Sequence, residues 1–127
     1  MQEKHLFEYA VVRFVPRVER EEFVNVGVVF YCAKLKFLKA LFLLDESKID
    51  ALCKDIDCDG LRQNLEAFER ICVGGKGAGP IGQLDVASRF RWLTAARSTV
   101  LQTSKVHPGF CEDPDATLRK LYEDLVL

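Results

Sequence analysis

Between residues 89 and 99 the chain places Arg89, Arg91 and Arg97 around Trp92, with hydroxyls at Ser98 and Thr99. Three guanidiniums beside an indole suit an anionic group, because the planar fork of arginine pairs bidentately with phosphate or carboxylate and tryptophan offers a stacking face. On a helix, Arg89, Thr94 and Arg97 share no single face and Phe90 and Trp92 point apart, so one pocket requires a bend near Ala95. The same arginines have ordinary uses. They cap helix carbonyls or pair with acids such as Asp85, Glu112 or Glu66, and the sequence leaves both readings open.

A second polar group sits in the run Glu22 to Tyr31, a near-unbroken series of β-formers carrying one amide, Asn25, and one glycine, Gly27. Glycine inside a strand marks a bulge or a close approach. Strand alternation puts Asn25 and Gly27 on the face of Arg13, where an amide, a bare backbone and a guanidinium could receive a ligand or a partner strand. Alternatively, Gly27 makes room for a packed helix, Asn25 bonds a loop, and Arg13 pairs with Glu22 across a hairpin.

Other motifs carry less. Gly77 to Gly82 spells G-x-G-x-x-G, but a dinucleotide site needs a preceding strand and a later acid, whereas an amphipathic helix precedes this one and no carboxylate stands near Gln102. Lys76 is in the wrong order for a phosphate loop. His107 precedes Pro108-Gly109 and could move a proton, yet no nucleophile with an orienting third group can be named beside it, and a turn histidine is the simpler reading. Cys53 and Cys58, and His107 with Cys111, have tolerable metal-ligand spacing, but five cysteines without a Cys-x-x-Cys pair read as packed thiols. No metal and no cofactor is expected. The carboxylates from Asp45 to Asp59 are scattered, as solvated helix surfaces are.

The elements that must hold these residues follow from periodicity. Residues 8–15 alternate as a strand that Pro16 ends, a charged hairpin spans 17–22, and residues 23–32 return as a second strand. Residues 35–44 make a third strand of a meander. From Ser47, read as an N-cap, the period becomes helical until Asp59-Gly60 breaks it; Leu61, Leu65, Phe68 and Cys72 stripe a second helix ending at Gly74. A mobile loop from 74 to 82 leads to a helix from about Asp85, then a strand over 98–106 closed by a turn at His107. A last helix has Asp113 as cap, Pro114 at its first position and Leu118, Leu121 and Leu125 on one face. The order β-β-β-α-α-α-β-α predicts a single α+β domain: an antiparallel sheet, three-stranded meander plus one later strand, packed with about four helices.

Position parity then divides the sheet. Ala10, Val12 and Phe14 go with Val24, Val26, Val28, Phe30 and Cys32 toward the helices. The other face shows Tyr9, Val11, Arg13 and Val15 beside Phe23, Asn25, Gly27, Val29 and Tyr31, too apolar to face water. Something must cover it: a remaining helix, a second copy of the chain, or another protein, in that order because intramolecular cover costs no association entropy.

Three stretches, Arg13 to Pro16, Arg20 to Val29 and Arg89 to Thr99, together resemble the bacterial family catalogued as a domain of unknown function, DUF3037. Gln102, Ser104, Val106 to Gly109 and the Asp113-Pro114 helix start extend the resemblance over nearly the whole chain. It implies a small single domain without an assigned activity. It also implies proximity to HipA-like kinase genes in some genomes, and so a protein partner of that kind.

Bulk properties bound the rest. At 127 residues, 49% hydrophobic and 29% charged, the chain suits one ordinary globular core. A net charge of −1 excludes a globally basic nucleic-acid binder. Its apolar stretches fall short of a membrane span, no secretory leader pattern opens it, and its odd cysteine count fits a reducing compartment, so a cytoplasmic setting is expected. The functional expectation is a non-catalytic accessory or interaction domain, possessing a HipA-like kinase partner or self-associating. The alternative is a module for phosphate ligands or nucleic acid. The residues put forward for either are Arg13, Asn25, Gly27, Arg89, Arg91, Trp92, Arg97, Ser98, Thr99, Gln102 and His107.

Overall fold

A computed structural model describes residues 3–52, 58–95 and 100–127. The elements in chain order are β1 (His5–Phe14), a 3-10 turn (Val18–Arg20), β2 (Val24–Cys32), β3 (Phe37–Phe42), α1 (Glu46–Leu52), α2 (Cys58–Val73), a 3-10 turn (Lys76–Ala78), α3 (Gly79–Gly82), α4 (Val86–Leu93), β4 (Leu101–Thr103), β5 (His107–Cys111) and α5 (Pro114–Leu125). The strands form one antiparallel sheet in the order β3-β2-β1, with β4 and β5 sharing the free edge of β1. The chain is therefore an α+β domain, as its pattern implies.

The shared edge corrects the expected single strand over 98–106. β4 lies against Val12–Phe14 and β5 against His5–Tyr9, so the His107 segment is a strand and not a turn. Between them buried Ser104 replaces the interrupted ladder: its N–H donates to Val11 O at 2.8 Å and its hydroxyl accepts from Val11 N at 2.9 Å. Pro108 is tolerated because β5 is an edge strand.

Face parity needs a second correction. Register slips between Val12, opposite Gly27, and Arg13, opposite Asn25, leaving Val26 as an extra, bulged residue. Val26 O is bonded instead by Leu43 N at 2.8 Å. Beyond the bulge the faces of β2 exchange: Val26, Val29 and Tyr31 join Ala10, Val12 and Phe14 in one core, while Val28, Phe30 and Cys32 join Phe7 in another.

Both faces are covered from within. α2 and α4 bring Leu61, Leu65, Phe68, Phe90 and Leu93 onto the first face, with Ile49 of α1. α5 brings Leu118, Leu121 and Tyr122 onto the second. The face that had to be covered is thus covered by the last helix, the first of the three candidates. Its start is set locally, since Asp113 accepts from Asp115 N and Ala116 N and Pro114 follows. Its end is held by the body of the domain: Asn25 Nδ2 donates to Leu125 O at 3.0 Å and Lys48 Nζ to Val126 O at 3.1 Å.

Smaller corrections concern helix ends. Asp45, not Ser47, caps α1, accepting from Ser47 N and Lys48 N. Gly60 lies inside α2 and does not break a helix. The 74–82 segment is built from a 3-10 turn and the four-residue α3, not an open loop. No helix among the described residues is long and apolar enough to cross a membrane.

Candidate functional site

Arg89 lies in the first turn of α4, which Asp85 caps by accepting from Ser88 N at 2.7 Å. The Ser88 hydroxyl and N–H together hold the Asp85 carboxyl below the ordinary range, with Arg89 and Arg91 adding a weaker pull. From there the Arg89 side chain, 8% exposed, runs back to the end of α2. Nη1 donates to Ile71 O at 2.8 Å and Cys72 O at 2.7 Å, and Nε to Leu84 O at 3.1 Å. The Ile71 and Cys72 carbonyls lie in the last turn of α2, where carbonyls have no intrahelical donor, and a cation suits the negative end of the helix dipole. The first of the three guanidiniums is thus a helix cap.

Arg91 and Trp92 point outward from the same helix, Arg91 exposed and Trp92 41% exposed. Trp92 stands at a cleft of about 300 Å³ lined by Asn64, Ala67, Phe68 and Ile71 of α2, Leu93 of α4, and Val100 and Leu101 at the entry to β4. Thr94 turns its hydroxyl to Phe90 O at 2.9 Å and ends the helix. Arg97, Ser98 and Thr99 lie outside the described residues. Thr103 Oγ1 donates to Thr94 O at 3.4 Å, tying the end of α4 to β4.

A different set of residues comes together on the α5 face of the sheet. Asn25 on β2, Arg13 on β1 and Gln102 on β4 are neighbours in register, a polar row across three strands. The Arg13 guanidinium carbon lies 4.2 Å from the centroid of Phe23. Gly27 does not share this face, because the bulge turns it toward Phe42: a β-carbon there would meet Leu41 O at 2.7 Å and the Phe42 ring. The close approach expected of this glycine is real and structural.

His107 sits on β5 opposite Tyr9, its ring centroid 5.4 Å from the tyrosine's, and is exposed. Gly77 to Gly82 follows a helix, and its 3-10 turn offers no strand-to-helix cradle for phosphate. Among the described residues no group of three His, Cys, Asp or Glu could hold a metal ion. Cys53 lies outside the described residues. Burial pushes the Cys72 thiol up to about 12, and burial with the Cys32 sulfur beside it raises Cys111, so neither is a ready nucleophile.

Sequence reasoning did not find the cleft or the role of Ser104. The cleft is assembled from two helices and the approach to a strand, residues far apart in the chain that carry ordinary core types, and no local motif announces them. Ser104 had a signal, a lone small hydroxyl in an otherwise strand-like run.

No curated protein and no solved structure matches the sequence. The model of the family described as protein of unknown function, DUF3037, matches residues 9–126, from the second half of β1 to the last turn after α5, and the chain belongs to that family.

Proposed function

We propose that this domain is a non-catalytic interaction module that seats on a partner protein through the cleft between α2 and α4, with Trp92 and Arg91 as its anchors. The observation that carries the reading is the half-exposed indole at the mouth of an apolar cleft, beside an exposed guanidinium. Tryptophan and arginine are among the side chains that most often dominate a protein interface. The sheet faces are already closed by the domain's own helices, which concentrates the argument on this cleft. A HipA-like kinase is the first partner to test, on the family resemblance. A cytoplasmic setting belongs to the same proposal, supported by three buried unpaired thiols, Cys32, Cys72 and Cys111. The alternative, phosphate or nucleic acid gripped by Arg89, Arg91 and Arg97, has to do without the Nε and Nη1 donors that Arg89 gives to carbonyls.

The test is binding of a HipA-like kinase by the wild-type domain and by Trp92→Ala and Arg91→Ala. Arg91 is exposed and Trp92 is 41% exposed, and a thermal melt of each variant checks that the fold is kept. Loss of an anchor costs about 2 kcal/mol or more, roughly a 30-fold rise in Kd. Undiminished binding by both variants, or none by the wild type, refutes the proposal.

A further inference from the structure

The row Asn25, Arg13, Gln102 contains two hydrogen bonds half made. Arg13 Nε–H and Asn25 Oδ1 are both sealed from solvent and neither has a protein partner. The asparagine's orientation is fixed by its other end, since Nδ2 donates to Leu125 O. Arg20 pairs with Glu22, Lys34 with Glu3 and Lys39 with Asp115, and no carboxylate among the described residues forms an ion pair with Arg13. One charged donor and one acceptor therefore stand side by side on neighbouring strands, next to a bulge. Buried groups of this kind carry their full desolvation cost until something completes them, and bulges gather beside functional sites.

We propose that Arg13 and Asn25 bind a phosphate group that retains a P–OH. The chemistry suits this class. The ligand must bring negative charge to the guanidinium, an oxygen that accepts from Nε–H, and a hydrogen that it donates to Asn25 Oδ1. A carboxylate at neutral pH lacks the hydrogen, and a carboxamide lacks the charge. Inorganic phosphate has all three at neutral pH, and a phosphate monoester has them below its second pKa of about 6. Phe23 is the cover. Its ring lies on the guanidinium but is 45% exposed, it precedes β2, and it stands two residues after Glu21, which adopts the left-handed region at φ 56°, so turning the ring outward opens Arg13 without unpairing a strand. This site lies on the opposite sheet face from the Trp92 cleft and stands or falls separately from it.

The experiment titrates the ¹⁵N-labelled full chain at pH 6 and constant ionic strength with inorganic phosphate, phenyl phosphate and sulfate, read at the Arg13 Nε–H and Asn25 side-chain signals. Sulfate has the tetrahedral shape of phosphate and no less charge at pH 6, but carries no proton. Saturable shifts of both signals by phosphate, at least about 10-fold tighter than by sulfate, support the site. Tighter binding of phenyl phosphate assigns the group to an ester, and weaker binding assigns it to free phosphate. Arg13→Gln abolishes the shift of Asn25; Arg13→Lys keeps the charge without the fork, keeps the fold, and weakens binding by about 10-fold. Equal affinity for sulfate, shifts that bypass Arg13, no saturable shift at all, or full binding by Arg13→Gln overturns the proposal.

Discussion

Arg89 and Gly74 are in contact in a way that allows neither to change alone: a β-carbon on Gly74 would stand 2.6 Å from Arg89 Nη1 and 2.8 Å from its Cζ. Gly74 also turns the chain out of α2 at φ 81°, where a side chain is strained. The guanidinium can therefore reach the last carbonyls of α2 only because the residue after the helix is bare. Gly74→Ala should cost about 1–3 kcal/mol, seen as a fall of several degrees in Tm. Arg89→Met should cost a similar amount or more by leaving buried carbonyls without a donor. The double variant should cost less than the sum, which a double-mutant cycle by denaturant unfolding measures.

Gly27→Ala should destabilise by about 1–3 kcal/mol, since the new carbon meets both a ring and a main-chain oxygen. Trimming the ring with Phe42→Leu should restore only part of the loss. Leu41 O, at 2.7 Å from the added carbon, belongs to the ladder and cannot retreat without unpairing β3 from β2. Full rescue by Phe42→Leu, in chemical denaturation, contradicts this account.

Cys72 gives the fold a signature at high pH. Its folded pKa of about 12 stands above the ordinary 9.0 because the buried site disfavours the thiolate. The unfolded chain releases that proton first, so stability is intact below about pH 9 and falls as pH rises toward 12, by up to about 1.4 kcal/mol per unit from this group. Cys72→Val should flatten the decline relative to wild type. Native protein at pH 8 should also leave Cys72 unlabelled by a thiol reagent, with labelling tracking unfolding.

α5 closes the second sheet face, so its cap matters beyond the helix. Asp113→Ala removes the acceptor for Asp115 N and Ala116 N and should cost about 1 kcal/mol. Hydrogen exchange should quicken first in α5, while the amides of β2 under Val29 and Tyr31, which face the other core, keep their protection.

The single tryptophan of the chain, Trp92, reports on the cleft directly. A partner that fills the cleft should shift its emission to the blue and shield it from an aqueous quencher, because a 41% exposed indole loses its water. Binding without either change places the partner elsewhere.

The local readings that held are those with a chemical cause at a single point. Asp113 and Pro114 start α5, Asp85 starts α4, and Pro16 lies just beyond β1. The alternation of valines marks β2 although its faces exchange midway. Asn25 and Arg13 share a face as alternation implies, whereas Gly27 lies on the other, because a bulge adds one residue and parity counted along the sequence cannot register it. Arg89 carried two readings, ligand grip or helix cap, and only the approach of α4 to the end of α2 distinguishes them for the atoms it gives to carbonyls.

By itself the order of residues determined the class of the domain, its antiparallel meander, the starts of α4 and α5 and the end of α2, and the need for both sheet faces to be covered, since propensity, capping and burial act within a few residues of each other. What covers each face, which face Gly27 meets, and whether an arginine faces solvent or a carbonyl were decided by tertiary packing. Those outcomes depend on segments separated by tens to a hundred residues, such as Asn25 and Leu125, meeting in space, and a linear pattern carries no distance between them.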